Sequence, residues 1–353
     1  MENWNGVLFI GDPHISSVRV GRRNDDDFLT TVTDKIIQAG KISSQYGLFP
    51  VFLGDFMHKA NDITPRLMIK TMAALRSFPT VPWTILGNVH DHVELEVSEK
   101  DTLKAITETG LLRLADTDGT FSTISIGDLT IAFTTIPYGY AIPEDIRHYL
   151  DAAQVKPDFS VLLTHADLEF DEAYPGATPL HPITGCDLLV NGHMHKTQKL
   201  KVLGHTVAFN PGNITRLSVD MESHIPSVWA WRPDLTIKND LDKVKDYWDF
   251  NIECIPLNFN PKVFFKDGLR ASPDSSGTRQ EITKHFVDSL SQLGNLSYEK
   301  SLDGSGAREE LHSVLTGKTA AVSNICNALL DAVLSGKKDE LPNIQPEEVE
   351  KDE

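Results

Sequence analysis

The feature that most constrains this chain is a short apolar run that ends in a polar segment, repeated five times in the first 200 residues. Such runs predict buried strands, and the helical spacing between them, as over residues 26–42, predicts an α/β protein. The polar segments are residues 11–14, 54–58, 87–91, 164–167 and 191–195. Because the carboxyl ends of parallel strands meet at one sheet edge, we expect these segments to converge on one site.

The residue types in these segments are those that bind divalent cations. Asp12 and His14 are two residues apart, as are the histidines of Gly-His-x-His, and such pairs project to one side of an extended backbone. Carboxylate, amide and imidazole ligands suit Mn²⁺, with Fe²⁺, Zn²⁺ and Mg²⁺ as alternatives. The seven candidate ligands, enough for two ions, are Asp12, His14, Asp55, Asn88, His165, His193 and His195.

The net charge of the chain restricts how it can bind an anion. With 33 Lys+Arg against 50 Asp+Glu, the formal charge is −17, so bulk positive charge cannot attract nucleic acid. Two dications held by two carboxylates leave a local centre near +2, and such a centre suits a phosphate. The sequence therefore predicts hydrolysis of a phosphate ester by a hydroxide bound to the metal ions.

The order of the motifs resembles that of the calcineurin-like metallophosphoesterases over roughly residues 5–233. This resemblance implies a four-layer αββα sandwich whose site lies at the strand ends. It implies a first ion held by Asp12, His14, Asp55 and His195. It implies a second ion held by Asp55, Asn88, His165 and His193, with Asp55 as the bridge.

Within that family, the chain most resembles the SbcD-type nuclease subunits of bacterial and phage DNA-repair exonucleases. The features are Gly-Asp-Phe-Met-His at 54–58, the segment at 24–28, and Phe-Asn-Pro-Gly-Asn at 209–213. The resemblance implies DNA as a substrate, a homodimer, and a coiled-coil ATPase partner of the SbcC type. We therefore expect a role in DNA repair or recombination, in the cytoplasm of a bacterium or of a phage-infected host.

One insertion departs from the family pattern Gly-Asn-His-Asp. Val89 stands between Asn88 and His90, so the histidine that assists the leaving group in the family is displaced by one residue. We predict His90, paired with Asp91, in that catalytic role. The insertion either bulges outward and restores the geometry or misplaces the imidazole, and general acid help contributes about 10²–10⁴-fold to a rate.

Other polar residues are weaker candidates. Those predicted to contact substrate are Arg19, Lys196, Asn213 and Arg216. For Arg19 a solvated loop is an equal alternative, because the acidic run at 25–27 follows it. His58 closes the second motif, and we expect it to support a ligand rather than to bind an ion.

The pattern changes after residue 233. We predict a catalytic domain over 1–233 and a small α+β accessory domain for capping or partner binding over 234–336. Residues 337–353 are acidic and almost without apolar side chains, so we expect a disordered tail. No apolar run approaches the roughly 18 residues of a membrane span.

Three functions therefore stay open. The first is a two-metal phosphodiesterase of the SbcD type that cuts DNA as an exonuclease or an endonuclease. The second is a phosphoesterase with a small nucleotide, a cyclic dinucleotide or a phosphoprotein as its substrate, favoured by the acidic charge. The third is a weakly active metal-binding scaffold that recruits a partner, with catalysis blunted by the insertion of Val89.

Overall fold

A computed structural model describes residues 3–94, 97–171 and 176–264. The strands are β1 (Asn3–Trp4), β2 (Gly6–Ile10), β3 (Leu48–Phe52), β4 (Trp83–Ile85), β5 (Arg113–Ala115), β6 (Gly119–Ile126), β7 (Leu129–Ile136), β8 (Phe159–Thr164), β9 (Leu188–Asn191), β10 (Gln198–Leu203), β11 (Thr206–Asn210), β12 (Ser227–Trp231) and β13 (Ile252–Pro256). The helices are α1 (Phe28–Tyr46), α2 (Pro65–Leu75), α3 (Thr102–Thr107), α4 (Arg147–Ala152) and α5 (Leu235–Lys238). Three 3₁₀ turns cover Val219–Met221, Leu241–Lys243 and Trp248–Phe250.

The strands form two sheets. One has the order β1-β6-β7-β8-β9-β11-β10, and the other has the order β13-β12-β2-β3-β4-β5. In the first sheet β7, β8, β9 and β11 are parallel, and in the second β2, β3, β4 and β5 are parallel. All the strands predicted to carry the polar segments therefore belong to parallel blocks, whose carboxyl ends lie on one edge of each sheet.

The layers follow from the alternation of side chains along the strands. In β2, Val7 and Phe9 belong to a core between the two sheets, where they meet Phe133 and Phe209. Leu8 and its alternate neighbours belong to a second core on the opposite face, formed with α1 and α2. A third core covers the outer face of the seven-stranded sheet, and α4 contributes to it. The predicted α/β class and four-layer αββα arrangement are confirmed.

The two long helices start and end where the sequence signals them. The Asp27 side chain caps the first turn of α1 by accepting from the Thr30 amide, and Gly47 ends that helix in a left-handed conformation. Thr64 caps α2 in the same way, and Pro65 occupies its first turn. These local signals determine the ends of both helices and do not depend on the residues of the site.

The described residues after 233 extend the six-stranded sheet. The strand β13 pairs antiparallel with β12 from Ser227 opposite Pro256 to Trp231 opposite Ile252. The rest of the predicted accessory domain, and the predicted tail over 337–353, lie outside the described residues, so the domain boundary stays a prediction. In the parts of the chain that the structure describes, no helix has the length and apolar character needed to cross a membrane.

Candidate metal centre

The structure brings the predicted ligands together where the parallel strands end. Segments after β2, β3 and β4 come from one sheet, and segments after β8 and β9 come from the other. Two groups have ligand atoms within 4.8 Å of one another, and Asp55 belongs to both. The first group is Asp12, His14, Asp55 and His195, and the second is Asp55, His165 and His193.

Asn88 joins the second group through its own contacts. Its backbone nitrogen donates to Asp55 Oδ1 at 3.0 Å, and its side-chain amide lies 3.3 Å from His193 Nδ1. All seven predicted ligands are therefore in one place, in the two sets that the family resemblance implies.

The donor set fits two divalent ions. Asp12, His14, Asp55 and His165 are buried, a position that charged or polar groups occupy at a high free-energy cost unless they are partnered. Within the described residues, Asp12 Oδ1 and both ring nitrogens of His14 have no hydrogen-bond partner. The Asp12 oxygen and the one ring nitrogen of His14 that carries a lone pair are buried acceptors that call for a partner, and a cation supplies one to each. The mixture of carboxylate and imidazole suits borderline divalent metals.

Protonation of the buried groups also matches a cation site. Burial, opposed by His165, raises the pKa of Asp12 from 3.8 to about 8. Burial acts on Asp55 in the same direction, but His165 and His90 outweigh it and hold the Asp55 pKa well below its usual value. Burial disfavours the charged form of His165, yet attraction to Asp55 raises its pKa from 6.5 to about 10. Asp12 and His165 thus carry protons on their ligand atoms, and bound cations would displace these protons.

The backbone at the ligands is held in an uncommon conformation. His14, Asp55 and His193 have φ values of 49°, 42° and 68°, in the left-handed region that side chains with a Cβ rarely adopt. Strain of about 1–3 kcal/mol per residue persists only where surrounding structure enforces it, and it clusters at functional sites. Three of the seven predicted ligands have such a backbone conformation.

Two glycines allow the segments to approach closely. Gly54 has a φ of 94°, and a Cβ built on it would collide with Nδ1 of His165. A Cβ on Gly87 would overlap the backbone nitrogen and the carboxylate of Asp55. The glycines that precede the ligands are therefore required by the packing of one ligand segment on another.

A buried amide connects the segments from β8 and β9. Asn191 Oδ1 accepts from the Thr164 hydroxyl at 2.8 Å and the Ala166 amide at 3.1 Å, on both sides of His165. Its Nδ2 donates to Asn210 Oδ1 at 3.1 Å, at the end of β11. This side chain fixes His165 relative to the Gly-His-x-His segment.

The insertion at Val89 bulges outward. The Val89 side chain is 43% exposed, and His90 lies at the centre, with its ring 4.7 Å from that of His14. The His90 amide donates to Asn88 Oδ1 at 3.0 Å, and its Nδ1 donates to the His58 carbonyl at 2.6 Å. Of the two outcomes open from the sequence, the structure has the one that returns the imidazole to the site.

Asp91 does not pair with His90 as the sequence predicted. Its two oxygens accept from the backbone amides of Met57 and Gly87, each at 2.9 Å, and the residue is buried. Both carboxylate oxygens are thus taken up by backbone amides. In this position Asp91 holds the second and third ligand segments together.

His58 lies beside the centre. Its ring stacks on that of His90 at 5.3 Å and meets that of His14 at 5.6 Å. These three imidazoles also form a compact group of possible ligand atoms.

The residues predicted to contact substrate are spread over different environments. Arg216 is buried and donates to the backbone carbonyls of Glu222 and Asn260, so that prediction is not supported by its position. Asn213 is also buried, and its backbone N–H donates to the His195 carbonyl at 2.9 Å. Arg19 is exposed, and Lys196 lies 4.0 Å from Asp220.

Sequence reasoning missed one aromatic residue beside the centre. Tyr138 follows β7 on the same sheet edge, and its ring lies 5.5 Å from that of His193 and 6.3 Å from that of His165. The available signal was its position directly after a parallel strand, where ligand-contacting residues collect.

One comparison with known proteins covers the part of the chain that carries the predicted ligands. A model of the calcineurin-like phosphoesterase family matches residues 6–197. No curated protein sequence matches the chain.

Several solved structures are similar to the chain at low identity. A 5'-nucleotidase precursor from Thermus thermophilus has 9% identity and a TM-score of 0.37, over 64% of this chain and 50% of that one. An NAD nucleotidase from Haemophilus influenzae has 12% identity and a TM-score of 0.36, over 64% and 52%. A hypothetical protein from Thermus thermophilus has 16% identity and a TM-score of 0.33, over 59% and 75%. The chain spans about half the length of the two nucleotidases.

Proposed function

Because the chain belongs to the calcineurin-like phosphoesterase family, we propose that it is a two-metal phosphoesterase that hydrolyses a small nucleotide-like ester. The observation that carries the proposal is the pair of ligand groups that share Asp55. Groups with one common carboxylate suit two adjacent ions, whereas a single ion needs far fewer ligands. Manganese is the metal that we expect first from the mixture of ligands.

The residues divide the work of the reaction between binding and proton transfer. Divalent ions held by the two groups would neutralise phosphate charge and lower the pKa of a water molecule toward neutrality. We expect His90 to give a proton to the leaving oxygen. Its Nδ1 proton is held by the His58 carbonyl, so Nε2 is the atom that exchanges a proton with the substrate.

The surroundings of the centre support a small substrate rather than a long polyanion. Lys199 and Lys201 both pair with Asp171, and Lys196 lies near Asp220. Arg216, the fourth cation of this region, is buried against carbonyls. A protein that follows a DNA backbone needs several cations directed at phosphates, and here Lys201 and Arg216 have close partners within the chain.

A second candidate is a nuclease of the SbcD type, with DNA as its substrate. The observation that favours it is His58, the residue that distinguishes the second motif, stacked on His90 beside the centre. This function would bring with it a homodimer and a coiled-coil ATPase partner. In that case the partner, and not this chain, would supply most of the contacts to DNA.

The test compares substrates on the full chain loaded with Mn²⁺. We expect turnover of bis-p-nitrophenyl phosphate and of a nucleotide or cyclic dinucleotide, and no cutting of single- or double-stranded DNA. DNA cleavage at a comparable kcat/KM would favour the nuclease instead.

A variant pair keeps this test specific to the centre. Asp12→Asn should abolish turnover. Asp171 is an exposed carboxylate that pairs with a lysine outside the two ligand groups, so Asp171→Asn should leave turnover unchanged. Full occupancy by two ions with no turnover of any ester would overturn the catalytic proposal and favour a scaffold.

A further inference from the structure

A carboxylate outside both ligand groups contacts one of their histidines. Asp167 Oδ1 lies 3.2 Å from His193 Nε2, within ion-pair distance although the two atoms are not aligned as a hydrogen bond, and the two side chains are equally exposed, at 17% each. We propose that Asp167 is a positioning residue, which accepts the Nε2 proton of His193 and so leaves Nδ1 to bind the second ion. The inference deepens the proposed function and rests on it for the presence of that ion.

The two ring nitrogens of His193 face different partners. Nδ1 lies 3.3 Å from the side-chain amide of Asn88, another ligand of the second group, whereas Nε2 faces Asp167. A neutral imidazole carries a proton on one nitrogen and a lone pair on the other, so an acceptor beside one nitrogen selects the other for a metal. The Asp167 carboxylate therefore selects Nδ1 as the ligand atom.

The other histidine of this group is oriented in a comparable way. His165 Nδ1 donates to the Leu53 carbonyl at 2.7 Å, and its Nε2 lies 3.2 Å from Asp55 Oδ1. One histidine thus presents Nε2 and the other Nδ1, each selected by an oxygen on the far side of its ring. Only His193 has a carboxylate as that oxygen, and a carboxylate raises the basicity of the imidazole more than a carbonyl does.

The loop that carries Asp167 is fixed independently of the ion. The Asp167 carbonyl accepts from the Thr178 amide at 2.9 Å, and the preceding amide of Ala166 donates to Asn191 Oδ1 at 3.1 Å. The Tyr138 ring packs against that of His193 at 5.5 Å. The carboxylate and the imidazole are therefore held before any cation binds.

The effect should be confined to one of the two ions. Loss of the acceptor behind a ligating histidine lowers metal affinity by about 10–100-fold. His193 belongs only to the second group, and the first group contains neither it nor Asp167. Removal of the Asp167 charge should thus weaken the second ion and leave the first unchanged.

The experiment is a Mn²⁺ titration of the full chain, with free Mn²⁺ followed by electron paramagnetic resonance. The variant is Asp167→Asn, and Asp171→Asn, four residues further along, is the matched control with the same chemical change. We expect unchanged affinity for the first ion and about 10–100-fold weaker binding of the second in Asp167→Asn alone. Unchanged affinity for both ions in Asp167→Asn would overturn the inference.

A second readout needs no metal and no activity. In the metal-free chain, a long-range ¹H–¹⁵N spectrum should show His193 protonated at Nε2, with the signal assigned by its absence in His193→Gln. Asp167→Asn should lose that single tautomer, and Asp171→Asn should keep it. A wild-type chain that binds only one ion would overturn the two-metal proposal, whereas an unaltered His193 tautomer in Asp167→Asn would overturn this inference alone.

Discussion

Replacement of Asp55 by Asn tests whether the two metal ions share one ligand or occupy two independent sites. Asp55 is the residue common to both ligand groups, so its charge contributes to both ions. At 100 times the dissociation constant, each ion stabilises the folded state by about 2.7 kcal/mol, or about 5 kcal/mol for two. For a domain of this size that corresponds to a rise in Tm of roughly 10–20 °C.

The substitution also destabilises the metal-free protein, so the Tm of the variant without metal is needed as its reference. Asp55 Oδ1 lies 3.2 Å from His165 Nε2 in a buried environment, and breaking such a pair destabilises a protein by about 3–5 kcal/mol. Thermal unfolding of wild type and Asp55→Asn, each with EDTA and with Mn²⁺, separates this loss from the loss of binding. We expect the Mn²⁺-induced rise in Tm to disappear almost completely in Asp55→Asn. A variant that retains the full rise would refute the shared ligand.

Three further changes test other parts of the account. His90→Ala should lower kcat by about 10²–10⁴-fold and leave two Mn²⁺ bound, as steady-state kinetics and metal analysis can check; loss of metal would contradict the assignment. Gly87→Ala should displace the Asp55 carboxylate and reduce bound Mn²⁺, while a variant with normal metal content would argue against the close packing. Burial, with Arg23 and Arg216 nearby, lowers the pKa of Lys35 from 10.5 to about 8, so the folded state disfavours its charge. The free energy of unfolding should therefore rise by about 3 kcal/mol from pH 8 to 10.5 in wild type and not in Lys35→Met, as urea denaturation at both pH values can measure.

The parts of the site that follow strands could be predicted from the sequence. Each apolar run gave a buried strand of a parallel block, and topology alone then placed residues as distant as Asp12 and His195 at one edge. Residue type predicted metal binding, because carboxylates and imidazoles gathered at one sheet edge suit divalent cations.

Contacts made by loops could not be predicted in this way. Val89 and Asp91 follow the ligand Asn88 closely in the sequence, but the sequence does not show that the backbone amides of Met57 and Gly87 take up the Asp91 carboxylate. Arg216 looked available to substrate because one of its carbonyl partners, Asn260, is 44 residues away in the sequence. Tyr138 carries no motif, and only the assembled sheet brings it near His193.

The most direct test of the central claim is anomalous diffraction from a crystal of the chain grown with Mn²⁺. The account predicts two anomalous peaks about 3.5–4 Å apart, with Asp55 between them, Asp12, His14 and His195 around one, and Asn88, His165 and His193 around the other. A single peak, or none within reach of these side chains, would contradict it.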